Sequence, residues 1–194
     1  MTDSLKISDK GRRLIVIALF FLALPLRMIV MSITVESIAD GPTRAIQAYL
    51  WAKSPSIITS GSWLPAYTYI TGIFSFIIED PWLSTRIFNT IVGSLTLSVY
   101  FLLLLRIYGI NVALISSAIL LFLPIHIGMS ATSLTGISFL FSLVAGIWFF
   151  IKCSDAEYHS SRYVYLFFAH SFIAFNTLTH STRLLLRSKK LVNG

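Results

Sequence analysis

The sequence predicts an all-helical (all-α), polytopic membrane protein with about five transmembrane helices and two interfacial helices in a large first outer loop. Three observations predict it. Of the 194 residues 56% are hydrophobic and only 12% are charged, with a mean hydropathy of +0.80, whereas soluble domains carry about 25% charged residues. Apolar runs of membrane length alternate with short polar connections. One long interval, 36–72, breaks the pattern with the polar stretch ESIADGPTRAIQAYLWAKSPSIITSGSWLPAYTYITG. Loops held by a rigid scaffold are where function concentrates, so the remaining chain reads as scaffold for this interval.

The net charge of +7 does not indicate nucleic acid. No basic face or aromatic-basic motif accompanies it, and in a multispan protein basic residues mark helix ends. The lone cysteine, Cys153, excludes an internal disulfide and any cysteine-rich metal site. No repeat or low-complexity tract is present. The first apolar run lacks a small-x-small cleavage site and reads as a signal anchor.

In order, residues 1–13 carry Lys6, Lys10, Arg12 and Arg13 and are expected in the cytoplasm, the inner side of a plasma or bacterial inner membrane. Residues 14–35 form the first span, with Pro25 and Arg27 in its outer half. Two roles are open for Arg27: snorkelling to the far headgroups, or pairing with a phosphate or loop carboxylate. Asp40-Gly-Pro opens a helix, with Asp40 as N-cap. The mixed pattern from Thr43 to Lys53 suits the interface rather than a crossing. The apolar piece 64–78 is too short to span, and Glu79-Asp80-Pro81 ends it. Spans are then expected at 87–105, 112–129, 134–151 and 163–178, the last more polar, followed by a basic tail at 184–194.

Charge does not settle the span count. With 64–78 in the outer interface, Lys6, Lys10, Arg12, Arg13, Arg106, Lys152 and Arg162 lie inside, against Arg44, Lys53 and Arg86 outside. The tail, however, then adds positive charge outside. The shortness of 64–78 favours five spans.

The order of parts resembles the N-terminal part of type C glycosyltransferases of the protein-mannosyltransferase and aminoarabinose-transferase kind (glycosyltransferase family 39-like). The matching pieces are LPLRMIV, ADGPTRAIQAYLW, SGSWLPAYTYITG, DPWLSTRIFNTIVGSLTLSVYFLLLLRIYG, ALISSAILLFLPIHIGMSATSLTGISFLFSLVAGIWFFIK and FIAFNTLTHSTR, together covering 14–183. The resemblance implies a membrane enzyme that transfers a sugar from a polyprenyl-phosphate donor on the extracytoplasmic side, with inversion. It implies Asp40 as the catalytic base. A cation such as Arg44 or Arg27 would stabilise the departing lipid phosphate, and Trp63 and Tyr67 would stack on a sugar. Membrane lipid and the lipid-linked donor are the implied partners, with no cofactor and no metal, since no ligand set is visible.

Structural readings stand beside each role. Asp40 as a cap alone, Arg44 as a headgroup contact, Trp63 as an interface anchor, Glu36 as a solvated charge and His126 as a helix-packing group all fit the residue types. Two departures from the family pattern weaken the enzymatic reading. Thr135 and Gly136 stand where relatives carry an acidic residue, and His180 stands where a basic one is usual, with Arg183 three residues on. The chain is therefore expected to be an N-terminal portion, inactive alone and completed by a complementing C-terminal part. The alternative is a small non-catalytic membrane protein that binds lipid or a partner protein.

Overall fold

The computed structural model describes residues 8–35, 40–58, 65–156 and 158–180. Among them the chain forms eight helices and no strand: α1 (Asp9–Ile33), α2 (Asp40–Lys53), α3 (Pro65–Ser75), α4 (Pro81–Tyr108), α5 (Ile110–Phe122), α6 (Pro124–Ala131), α7 (Gly136–Asp155) and α8 (His159–His180). By length and apolarity α1, α4 and α7 can each cross a membrane, and α5 with α6, bent by 58° at their junction, counts as a fourth where the pair is taken as one broken span. The fifth expected span falls in the helix α8, which has the length at 22 residues but a more polar composition and is not among those crossings. At about 1.5 Å per residue, the 11-residue α3 reaches about half the thickness of a hydrocarbon core. The chain is thus an all-α, multi-pass integral membrane protein, with two short helices between its first two spans.

Three boundaries differ from expectation, each for a local reason. Helix α1 begins at Asp9 because Ser8 caps it, its hydroxyl accepting from the Gly11 amide at 3.1 Å; Lys10, Arg12 and Arg13 are therefore helical. Asp80-Pro81 starts the next helix as well as ending the last one. The Asp80 carboxylate accepts from the Trp82 and Leu83 amides at 2.8 Å each, and Pro81 occupies a position that needs no amide donor. Asp40, read as a cap, is instead the first residue of α2.

Helix α4 is the hub, packing against α1, α2, α3, α5, α6 and α7. Much of its buried surface is small and polar: Ser84, Thr85, Asn89, Thr90, Ser94, Thr96 and Ser98. Lipid removes the hydrophobic drive between helices, so close backbone approach and interhelical hydrogen bonds hold such a bundle. Leu14, Ile17, Phe21, Leu22 and Ile29 of α1 point outward, as lipid-facing residues should. Conventional apolar packing survives in patches, as where Phe101, Leu104, Ile110 and Ala113 meet Ile15, Val16 and Leu19. The α7–α8 hairpin closes on Phe149, stacked against Phe168 and Phe172.

Two breaks set the shape of the middle of the chain. Pro124 has no amide proton and forces Leu123 into an extended conformation, which bends α5 into α6. Gly109 turns α4 into α5 at φ +82°, ψ −177°, a region that is essentially glycine's alone. A Cβ there would touch nothing within 4 Å, so any penalty is purely conformational. Gly109→Ala should cost about 1–3 kcal/mol, whereas Gly128→Ala, equally open but inside α6, should stabilise by about 0.5–1 kcal/mol. Denaturation midpoints of the two variants in detergent micelles should move in opposite directions.

Candidate active site

The end of α1, the starts of α4 and α7, the end of α6 and both short helices lie at one end of the bundle. The predicted site residues Asp40, Arg44 and Tyr67 are at this end. Asp40 opens α2 and is exposed. Arg44, one turn on, is half-buried. Burial lowers its pKa below the ordinary arginine value, against opposing pulls from Tyr67 and Asp40; arginine remains a cation in any case. The Asp40 carboxylate and the Tyr67 phenol therefore both lie near enough to act on the Arg44 guanidinium. Helix α2 is held by the small stripe Gly41, Ala45, Ala48 and Ala52 turned inward, and by Trp51 lying over Gly72 of α3. The Trp51 Nε1–H donates to the Ser56 carbonyl at 2.9 Å, so this indole belongs to the α2–α3 corner.

Tyr67 is in the interior, 1% exposed. Its hydroxyl donates to the Ser133 carbonyl and accepts from Asn89 Nδ2, both at 3.0 Å. Its ring meets Phe88 edge-on. Asn89 also donates to the carbonyls of Thr132 and Leu134, and Thr85 bonds Ser133 through their hydroxyls at 2.7 Å. This network pins the α6–α7 connection to α3 and α4.

Among the described residues Arg27 pairs with a backbone carbonyl and neutral side chains. It sits at the centre of the inward stripe Ala23, Arg27, Met31 and is fully buried. Its Nη1 donates to the Ala23 carbonyl at 3.1 Å, its Nε to Ser130 Oγ at 3.3 Å, and its Nη2 lies 2.8 Å from His126 Nδ1. Arginine only donates, so His126 Nδ1 must accept and the imidazole proton is on Nε2. Gly93 leaves the room for this, since a Cβ there would collide with Ser130. His126, expected as a helix-packing group, is buried at 2% exposure and tied to α1 through this contact. Trp63 and Glu36 lie outside the described residues.

Sequence reasoning passed over Arg86. From the second turn of α4 its Nε donates to the Ala131 carbonyl at 2.7 Å, and its Nη2 donates to the Met31 and Thr34 carbonyls and to Thr34 Oγ1. One guanidinium therefore ties the start of α4 to the end of α6 and to the end of α1 at Thr34, six residues before Asp40. Its signal was present as an arginine just inside an apolar run, directly after a proline-opened helix start. Lys53 and Glu79 add a surface pair at 3.6 Å between α2 and the α3–α4 turn. No group of three or more metal-ligating side chains occurs among the described residues.

What this end offers chemically is an exposed carboxylate beside a half-buried cation, on a frame fixed by Arg86, Asn89 and Tyr67. No curated protein and no solved structure matches the chain. The family model described as dolichyl-phosphate-mannose-protein mannosyltransferase matches residues 60–182. That stretch contains Trp63, Tyr67, Arg86, Asn89 and His126, and begins after Arg27, Asp40 and Arg44. Because the match takes in more than half of the chain, this multi-pass membrane protein belongs to the dolichyl-phosphate-mannose-protein mannosyltransferase family, glycosyltransferases that draw on a lipid-linked sugar.

Proposed function

We propose that the chain takes part in transfer of a sugar from a polyprenyl phosphate to an acceptor hydroxyl on the extracytoplasmic face, its N-terminus being cytoplasmic. The observation that carries the reading is Asp40 and Arg44 one helical turn apart at the end of the bundle where the helix ends are tied together. The acceptor oxygen attacks the anomeric carbon from the face opposite the phosphate, and Asp40 takes its proton. The bond from that carbon to the phosphate oxygen breaks, the electron pair leaves with the phosphate, and Arg44 stabilises the developing charge. Attack from the opposite face inverts the anomeric configuration. Arg27 and Tyr67, both buried, support the frame in this account, while Trp63 keeps the role of a sugar-stacking ring.

Transfer to an acceptor requires water to be kept from the reacting centre. Asp40 is exposed among the described residues, so a complementing C-terminal part is proposed to close over it. The isolated chain is then expected to show no turnover, and robust transfer by the isolated chain would overturn this point. Supplied with such a part and a labelled polyprenyl-phosphate sugar, Arg44→Gln should raise the KM for the donor several-fold with little change in stability. An unchanged donor KM would make Arg44 a headgroup contact instead. The second reading, a non-catalytic module that binds lipid or a partner, is favoured by one observation: the family match begins after Asp40. No transfer even with the complementing part supplied, with lipid or partner binding retained, would support it.

A further inference from the structure

At the opposite end of the bundle, where α4 and α7 finish and α8 begins, a pocket of about 270 Å³ opens to the surroundings. Lys152, Asp155, Ala156, Tyr158, Ser161 and Tyr165 line it. Among the described lining residues the one carboxylate is already engaged: Asp155 accepts from Arg106 Nε and Nη2 at 2.8 Å each. Of the rest, the charged and hydroxyl groups can all donate: the Lys152 ammonium, two phenols and a serine hydroxyl. Lys152 is steered by Trp148, whose ring centroid lies 5.1 Å from its Nζ, so the ammonium is held beside the pocket instead of sweeping through solvent.

The depth of the pocket follows from its neighbours. Trp148, Tyr158, Tyr163 and Tyr165 cluster around the α7–α8 turn, and Tyr158 and Tyr163 are 74% and 69% exposed. Tryptophan and tyrosine collect at headgroup level in membranes. A donor-rich, cation-bearing recess at that level matches a phosphate that carries acyl chains running down beside α7 and α8.

We propose that this pocket binds the headgroup phosphate of an anionic phospholipid, at the end of the protein remote from Asp40. The phosphate oxygens would accept from Lys152, the two tyrosines and Ser161, with the Arg106–Asp155 pair as the far wall. This site does not depend on the transfer chemistry proposed above.

The test uses the full chain in nanodiscs of mixed phosphatidylglycerol and phosphatidylcholine, with retained lipid counted by native mass spectrometry after extraction. Wild type should retain phosphatidylglycerol over phosphatidylcholine. Lys152→Gln combined with Tyr165→Phe should lower that retention several-fold, and Lys152→Arg should preserve it, which separates loss of a donor set from loss of fold. Lys10→Gln, at an exposed lysine on the same end of the bundle, should leave retention unchanged. Equal retention in wild type and the double variant would overturn the proposal, as would an equal loss in Lys10→Gln, because either result reduces the effect to general basic charge. Displacement of the lipid by millimolar inorganic phosphate would also overturn it, by assigning the recess to free phosphate.

Discussion

Asp40→Asn is expected to lower sugar transfer by roughly a hundredfold or more while leaving the fold intact. Asparagine keeps the shape and hydrogen-bonding reach of the side chain but cannot take a proton from an attacking hydroxyl. Asp40 is exposed, and the packing of α2 rests on Gly41, Ala45, Ala48 and Ala52 on its other side. The structural loss is then only that of a negative charge in the first turn of a helix, about 0.3–1 kcal/mol. Turnover measured with a polyprenyl-phosphate sugar and the complementing part, alongside a melting curve, separates the two effects. Unaltered transfer would leave Asp40 as a favourable helix-end charge and nothing more.

Arg86→Met should produce the largest structural effect. Methionine has no donor, and the variant strands the Met31, Thr34 and Ala131 carbonyls at two helix ends that Arg86 now satisfies. Hydrogen bonds to a charged group contribute about 1.5–3 kcal/mol each when buried. Because Arg86 is only part-buried, a loss of about 2–4 kcal/mol is expected from those bonds together. Arg86→Lys should restore little, because one compact ammonium cannot span the groups that a planar guanidinium reaches. Since Thr34 leads directly toward Asp40, transfer by either variant should fall even at temperatures where it stays folded. Stability equal to wild type in Arg86→Met would show that the Arg27 contacts alone hold α1 to α6.

The helical membrane architecture was legible because apolar run length and low charge are direct consequences of the bilayer as solvent. The shortness of α3 was legible for the same reason, since the stretch 64–78 lacks the reach to cross and the helix there has 11 residues. The start of α4 was misjudged because Asp-Pro both stops one helix and opens the next, and only the two amide bonds to Asp80 show the second role. The bend at Pro124 was open to sequence reasoning, which noted the proline but kept 112–129 as one span.

The interior was the less legible part. Nothing in local sequence says that Arg27 would meet His126, 99 positions away, or that Gly93 would make the space. Tyrosine likewise suits both a stacking face and a buried hydroxyl, and the bonds that hold the Tyr67 hydroxyl come from Asn89 and Ser133, which are remote in sequence. The placement of Asp40 and Arg44 one turn apart was readable because both fall on one short helix.

Whether Asp40 faces the extracytoplasmic side decides the account, and cysteine labelling at Glu79 measures it most directly. Glu79 is exposed, pairs only loosely with Lys53, and, unlike Asp80, caps no helix. It precedes α4 at the same end of the bundle as Asp40. On a Cys153→Ser background, which removes the lone and buried native thiol, Glu79→Cys in sealed, right-side-out vesicles should react fully with a membrane-impermeant maleimide. Labelling that occurs only after the membrane is opened to the cytoplasmic side would place α2 and α3 inside, contradicting both the topology and Asp40 as the base.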